Sequence, residues 1–484
     1  MNATLPPETI ITPDICRDYI DQVIFKLRPG DYKEKYPIWP GMVGLELEML
    51  LVKQSESDHS PAPIPLQGDQ HSLVSMLKPL AEKRNWAMST DQGSDGQTLV
   101  MKFDMSQQDA LTFEPGGQLE FSSRPYPCLQ DAVRRLRSVQ ELLDTEAQKH
   151  GWSILQLGAN PWHSPDELGL QMPKQRYQAM DRYFSDIGPF GRRMMRQTCT
   201  IQTCLDFGAT ETQMAKRYLA SQLLAPFSAA IFAYSPFIDG AHTKIPGFRT
   251  KVWKNLDRSR TGITSLSQIS QKLDKASCVE AYYQFAMNAG VVFIESLGYQ
   301  IPKTPMSFQE WISGSAQAGS LPKPTLKDFE THLSLLFPEV RPRGFLELRS
   351  VDCQARPWQI VPAAFSTGLL YNDHCLDQTI EALLPYRQET DNLWEFASEG
   401  LKHPGLAQVS KKLMQLAFEG FKLLPPCFRG EGTEKALQIF AERFTLKDRT
   451  PSDDLTDALI TEGKNVPGPF QIKRIEQGWF ADLA

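Results

Sequence analysis

The chain lacks both common glycine-rich phosphate loops: neither G-x-x-x-x-G-K-[ST] nor G-x-G-x-x-G occurs in its 484 residues. Any nucleotide it binds is therefore held by something other than those turns. A G-x-S-x-G nucleophile elbow is also absent, and nothing specific supports a Cys–His nucleophile. The eight cysteines include no C-x-x-C pair, which removes the zinc ribbon and the thioredoxin motif and leaves reduced thiols of a cytosolic enzyme as the default. The eight histidines, His163 and His242 among them, show no metal-ligand spacing. Glu8, Asp14, Arg17 and Asp18 interrupt the first twenty residues, so no signal peptide is expected. The most apolar stretch, Leu223 to Ile238, is broken by Pro226, Ser228, Ser235 and Pro236. It is too short for a membrane span and predicts a buried helix ending at Ser235-Pro236. There is no basic excess: 51 Lys and Arg stand against 57 Asp and Glu, a net charge of −6. Nucleic acid is thus not the leading partner. These absences predict a soluble, cytoplasmic protein with neither membrane nor nucleic-acid partners.

What is present is an ordinary globular composition, 41% hydrophobic and 22% charged. At about 150 residues per domain the length fits three domains or one large enzyme domain. Helices are predicted over Ser72–Trp86, Leu129–His150, Met214–Tyr234, Val279–Leu297, Leu406–Leu424, Glu434–Phe444 and Asp453–Glu462. Lys53–His71, with Pro61, Pro63 and Pro65, reads as a surface loop. Strands come singly or in close pairs between helices, which favours α+β with an antiparallel sheet over a doubly wound fold.

Four strand-like segments share one design, an apolar back and a polar front. In Val43–Leu51 the odd positions are apolar, while Glu46 and Glu48 share the other face. In Leu111–Phe121, Leu119 and Phe121 oppose Gln118 and Glu120, and Pro115-Gly116-Gly117 forces a turn that brings Glu114 back beside them. In Phe345–Arg349, Glu347 and Arg349 oppose Leu346 and Leu348; in Thr198–Phe207, Gln202, Cys204 and Asp206 alternate with Ile201, Leu205 and Phe207. A solvated sheet face would account for any one of these segments. Like charges two apart repel, however, unless something positive stands between them. Five glutamates with interleaved Gln and Arg suit a divalent cation carrying phosphates, because hard cations take oxygen ligands. Three basic clusters are available to meet such phosphates: Lys174 and Arg176; Arg192, Arg193 and Arg196; and Arg249 to Lys254, followed by Arg258 and Arg260. Each alone reads more readily as a solvated face than as a site.

Taken in order, these segments resemble the glutamate–cysteine ligases of the plant and bacterial type, in the carboxylate–amine ligase superfamily. The strongest match is Leu111-Thr112-Phe113-Glu114-Pro115-Gly116-Gly117-Gln118-Leu119-Glu120-Phe121-Ser122, similar to L-x-x-E-P-G-G-Q-x-E-x-S. Gly44–Glu48, Met172–Tyr177, Met194 to Phe207, Arg249 with Trp253, Asp257 and Arg260-Thr261-Gly262, and Leu346–Arg349 with Asp352 follow in register. The chain departs from the plant pattern at Gln197, Cys204 and Leu47, where that pattern has Arg, Asn and often His.

The resemblance implies a glutamine synthetase-like curved antiparallel sheet, a funnel flanked by helices. It implies a catalytic domain over 16–385 with a helical C-terminal region, 386–484, packed on it. The implied reaction joins the γ-carboxylate of glutamate to the amine of cysteine, using ATP and magnesium, in a monomer or homodimer. Glu46, Glu48, Glu114, Glu120 and Glu347 would hold magnesium. Arg260 and Arg349 would be catalytic and, with Lys174 and Arg176, bind ATP; Arg249, Gln118, Gln202, Arg196 and Trp253 would bind substrate. The same acyl-phosphate chemistry with another amine acceptor, a glycosidase-like carboxylate pair, and an inactive binding module are the competing readings.

Overall fold

An eleven-residue strand, β1 (Val43–Lys53), sets the layout. Val43, Leu45, Leu47 and Met49 are buried on one side, and Gly44, Glu46 and Glu48 stand on the other. The computed structural model describes residues 5–27, 40–53, 61–68, 70–105, 108–430, 432–462 and 466–483. The other strands of the main sheet are β2 (Ala87–Gln92), β3 (Thr98–Asp104), β4 (Ala110–Phe113), β5 (Leu119–Ser122), β6 (Trp152–Leu155), β7 (Ile201–Leu205), β8 (Val340–Pro342) and β9 (Leu346–Leu348). Their order is β8-β9-β7-β1-β5-β4-β3-β2, with β6 on the far end of β1. Every pairing in this sheet is antiparallel, as expected. The protein is thus a mixed helix-and-sheet fold around one large antiparallel sheet.

Register brings the polar positions together, because residues directly opposite share a face. Glu48 stands opposite Glu120, Glu46 opposite both Ser122 and Gln202, and Glu347 opposite both Cys204 and Arg341. Two turns make this register possible. Between β4 and β5, Gly117 takes φ +88° and its N–H donates to the Glu114 carbonyl at 2.9 Å. A side chain on the adjacent Gly116 would lie 2.5 Å from the Arg196 backbone, so only glycine admits that approach. Between β8 and β9, Gly344 takes φ +75° and the Arg343 N–H donates to the Phe345 carbonyl at 2.8 Å.

Helices cover both faces. We label α1 (Leu73–Arg84), α2 (Leu129–Lys149), α3 (Gln175–Ile187), α4 (Phe190–Arg196), α5 (Glu211–Ile231), α6 (Phe248–Lys254), α7 (Val361–Leu370), α8 (Pro404–Leu423) and α9 (Pro469–Leu483). On the apolar back, α2 buries Leu129, Val133, Leu136, Val139 and Leu143 at three- and four-residue spacing against β1. There α5 packs on β8 and β9, and α7 on β7. The polar front faces α3, α4 and α6, which line the cavity described below. Helices α7 and α8 cross at Gly368 and Gly420. A Cβ on Gly420 would lie 2.0 Å from the Gly368 carbonyl oxygen, and one on Gly368 would lie 2.2 Å from that of Ala417. Contact this close requires glycine on both helices.

Several predicted boundaries differ. The helix expected over Val279–Leu297 spans Lys275–Asn288. It stops because Ala289 is extended and Gly290 is pinned on both sides: its N–H donates to Ser259 Oγ at 3.1 Å, and its carbonyl accepts from Arg260 Nη2 at 2.5 Å. The apolar helix expected to reach Ser235-Pro236 ends at Ile231, beyond which the Asp352 carboxylate takes the Tyr234 N–H and the Ser235 hydroxyl. In the expected loop Lys53–His71, positions 54–60 and 69 lie outside the described residues. Pro63 bridges to Val52, so that part of the chain returns to β1.

Candidate functional site

A cavity of about 380 Å³ opens between the polar face of the sheet and helices α3, α4 and α6. The sheet contributes Glu46, Glu48, Glu120, Ser122, Thr200, Gln202, Arg341, Arg343 and Arg349, and the β4–β5 turn adds Glu114 and Pro115. The helices supply Arg176, Tyr177, Met180, Met194, Met195, Arg249 and Trp253. One wall is thus carboxylate and guanidinium, the other thioether, aromatic ring and guanidinium.

At the acidic end, Glu48, Glu114 and Glu120 offer carboxylate oxygens that all lie within 4.8 Å of one another. Glu120 accepts from Thr112 Oγ1 at 2.7 Å and Ser122 Oγ at 2.9 Å, and Glu48 accepts from the Thr200 N–H at 2.8 Å. These neutral donors orient the carboxylates without neutralising them. Burial first, and then the charge of Glu120, pushes Glu114 up to about 7. Burial, with Glu114 and Glu120 adding to it, raises Glu48 well above the carboxylate range. Glu46 is pushed up to about 8 by burial and by Glu347 and Glu120, against the pull of Arg341 and Arg349. Three crowded carboxylate oxygens, two of them on groups that burial and like charge keep from ionising, match what a hard divalent cation requires.

At the other end four guanidinium groups gather. Glu347 is fully buried; Arg341 binds it through Nε and, at 3.0 Å, through Nη2, and Arg349 Nη1 approaches at 3.2 Å. Arg343 Nη1 lies 3.5 Å away. Burial alone would raise Glu347, but Arg341 and Arg349 hold it down at about 2. Arg349 Nη1 also donates to Gln202 Oε1 at 3.0 Å. Arg176 donates to Ser334 Oγ at 2.8 Å. Arg249 lies with its guanidinium 4.6 Å from the Trp253 ring centroid, and the buried Trp253 Nε1 has no hydrogen-bond partner among the described residues.

The structure gathers many of the sequence-predicted residues and places others elsewhere. Glu46, Glu48, Glu114, Glu120, Gln202, Arg176, Arg249, Trp253 and Arg349 line the cavity. Glu347 does not: both its oxygens are engaged by arginines. Arg260 is fully buried away from the cavity, with Nε on Asp257 Oδ2 at 2.7 Å, Nη1 on the Leu335 carbonyl at 3.1 Å, and Nη2 on the Gly290 carbonyl and Tyr183 hydroxyl. Arg196 turns from the cavity to Asp181 and to the Pro165 carbonyl at 2.9 Å. Gln118 is buried under the turn, donating to the Thr198 carbonyl at 3.0 Å. Lys174 ends on Asp91 at 2.5 Å. Sequence reasoning missed Arg341, Arg343, Ser122, Thr200 and the Met180/Met194/Met195 wall. For Arg341 a signal existed, because a hairpin turning at Gly344 places it directly across from Glu347.

A sequence profile described as glutamate-cysteine ligase family 2 matches residues 42–416. The chain is similar to the chloroplastic glutamate–cysteine ligase of Medicago truncatula, 30% identical over 360 residues that cover 72% of this chain and 68% of that one. The enzymes so named from Brassica juncea and Arabidopsis thaliana are each 28% identical over 366 residues, 74% of this chain and 68% and 67% of theirs. The expected cytoplasmic location is contradicted by these relatives, each of which is named as chloroplastic.

Proposed function

The chain belongs to the glutamate–cysteine ligase family, and from that premise we propose that it joins the γ-carboxylate of glutamate to the amine of cysteine at the expense of ATP. The observation that carries this reading is the meeting, in one cavity, of crowded glutamates with a cluster of arginines from separate strands. That pairing fits a reaction whose demands are charge neutralisation and positioning rather than a protein nucleophile. We assign magnesium to Glu46, Glu48, Glu114 and Glu120, whose oxygens suit it; when bound, it supplies positive charge to the phosphate oxygens. Arg349, Arg341, Arg343 and Arg176 face the phosphates, with Glu347 anchoring the first two. Arg249 grips the α-carboxylate of glutamate beside Trp253.

The steps follow from that assignment. A γ-carboxylate oxygen attacks the terminal phosphorus of ATP, the bond to the bridging oxygen breaks, and ADP leaves with that electron pair. The resulting acyl phosphate is attacked by the acceptor amine, which loses a proton as phosphate departs and the amide forms. Water must be kept from the acyl phosphate, and the Met180, Met194, Met195 and Phe337 wall supports its exclusion. The fold goes with this reading: we take the sheet to be a glutamine synthetase-like funnel, with 16–385 as the catalytic unit and 386–484 as helical packing on it.

A coupled assay of ADP release tests the proposal. Turnover should require glutamate, cysteine and magnesium together. Equal turnover without cysteine, or in excess chelator, overturns it.

A further inference from the structure

Arg249 is only 2% exposed, yet it lines the cavity, and its setting is unusual for a buried cation. Nη2 donates to the Arg349 carbonyl at 2.8 Å and one face rests on Trp253. Among the described residues the carboxylate nearest to it is Asp352, 1% exposed, with Oδ1 at 3.9 Å from Nη1. That gap is too long for a hydrogen bond but short for charge attraction in a buried setting. The two oxygens of Asp352 are treated differently. Oδ2 accepts from the Tyr234 N–H at 2.8 Å and the Ser235 hydroxyl at 2.7 Å. Oδ1 has no hydrogen-bond donor among the described residues. Ser235 Oγ in turn accepts the backbone N–H of Arg249 at 3.0 Å, so Asp352 reaches the arginine through both its charge and a hydroxyl relay.

A buried carboxylate oxygen without a donor is costly, and here it costs without closing a hydrogen-bonded ion pair. Gly158 packs directly on this group: a Cβ there would lie 2.6 Å from the Asp352 carboxyl carbon, so the carboxylate cannot retreat. We propose that Asp352 is a positioning residue. It holds the Arg249 guanidinium by charge without itself taking a hydrogen bond from it, so that the carboxylate of an amino-acid substrate, rather than Asp352, completes the pair. The inference rests on the ligase reading for the identity of that substrate.

The test is titration calorimetry of L-glutamate against the full chain, combined with steady-state kinetics. Asp352→Asn keeps the shape and an acceptor for Tyr234 and Ser235 but removes the charge. Its glutamate affinity should fall about tenfold, with the KM for glutamate rising in step. The KM for ATP should not move, and kcat should stay within about threefold of wild type. In an Arg249→Lys background the same substitution should add little, since the two act as one unit. Wild-type affinity for glutamate in Asp352→Asn overturns the inference, as does a parallel rise in both KM values or full additivity with Arg249→Lys. If Asp352→Asn fails to fold, Ser235→Ala carries the test, with an expected loss of about threefold in glutamate affinity; no loss overturns the inference. Wild-type protein that does not bind glutamate overturns the ligase reading and this inference together, whereas binding that is indifferent to Asp352 overturns only the latter.

Discussion

Glu114→Gln should make the metal-free protein more stable and the enzyme worse. Glu114 is pushed up to about 7 from an ordinary 4.5, first by burial and then by Glu120. A carboxyl raised in this way keeps its proton in the folded state at pH values where the unfolded chain has lost it. Stability therefore falls as pH rises from about 4.5 to about 7, and the deficit persists above that. The difference corresponds to about 3 kcal/mol at alkaline pH. An unfolding entropy of about 2.1 cal/mol/K per residue turns this into a midpoint rise of about 3 °C for the glutamine variant of a chain this long. Scanning calorimetry in metal-free buffer at about pH 5 and about pH 8 reads the effect, which should appear only at the higher value. Saturating magnesium should reverse the order, because the cation stabilises wild type through a charge the variant lacks. A gain of equal size at both pH values, or a glutamine variant less stable than wild type at the higher one, would refute the account of crowded carboxylates.

Two further substitutions probe the scaffold. Gly420→Ala forces a methyl to within 2.0 Å of the Gly368 carbonyl oxygen and should cost about 3 kcal/mol or more in urea unfolding; a wild-type midpoint would mean the helices part freely. Arg260→Lys keeps the charge but cannot reach Asp257, Leu335, Gly290 and Tyr183 at once, so thermal stability should drop by about 3 kcal/mol. An unchanged melting point with collapsed turnover would assign Arg260 to chemistry instead.

The sequence revealed the acidic wall because strand alternation is a local rule. Once Glu46 and Glu48 are known to oppose Leu45, Leu47 and Met49, their shared face follows without any knowledge of the partner strands. Glu114 could be read from the Pro115-Gly116-Gly117 turn for the same reason. What stayed hidden depends on partners distant in the chain. Arg260 lies in a basic run that looks like a phosphate grip, but its direction is decided by the carbonyls of Leu335 and Gly290, which no local pattern announces. Arg196 ends a short helix, and its side chain goes to Asp181 and the Pro165 carbonyl, partners that no local pattern announces. The early end of the helix beginning at Lys275 was half legible, since Gly290, Val291 and Val292 disfavour helix past Asn288, while the groups that pin Gly290, Ser259 and Arg260, lie far off in the chain. Glu347 and Arg349 were found, but the clamp from Arg341 and Arg343 was not, because a carboxylate in a strand looks the same whether it meets a metal or a guanidinium.

The central place of β1 has a mechanical corollary. Carrying Glu46 and Glu48 between two antiparallel ladders, it forms a stiff anvil whose carboxylates can rotate but whose backbone cannot yield. Accommodation of differently sized reactants must therefore come from the opposite jaw, where the unbranched Met180, Met194 and Met195 can change shape without disturbing a single rung of the sheet.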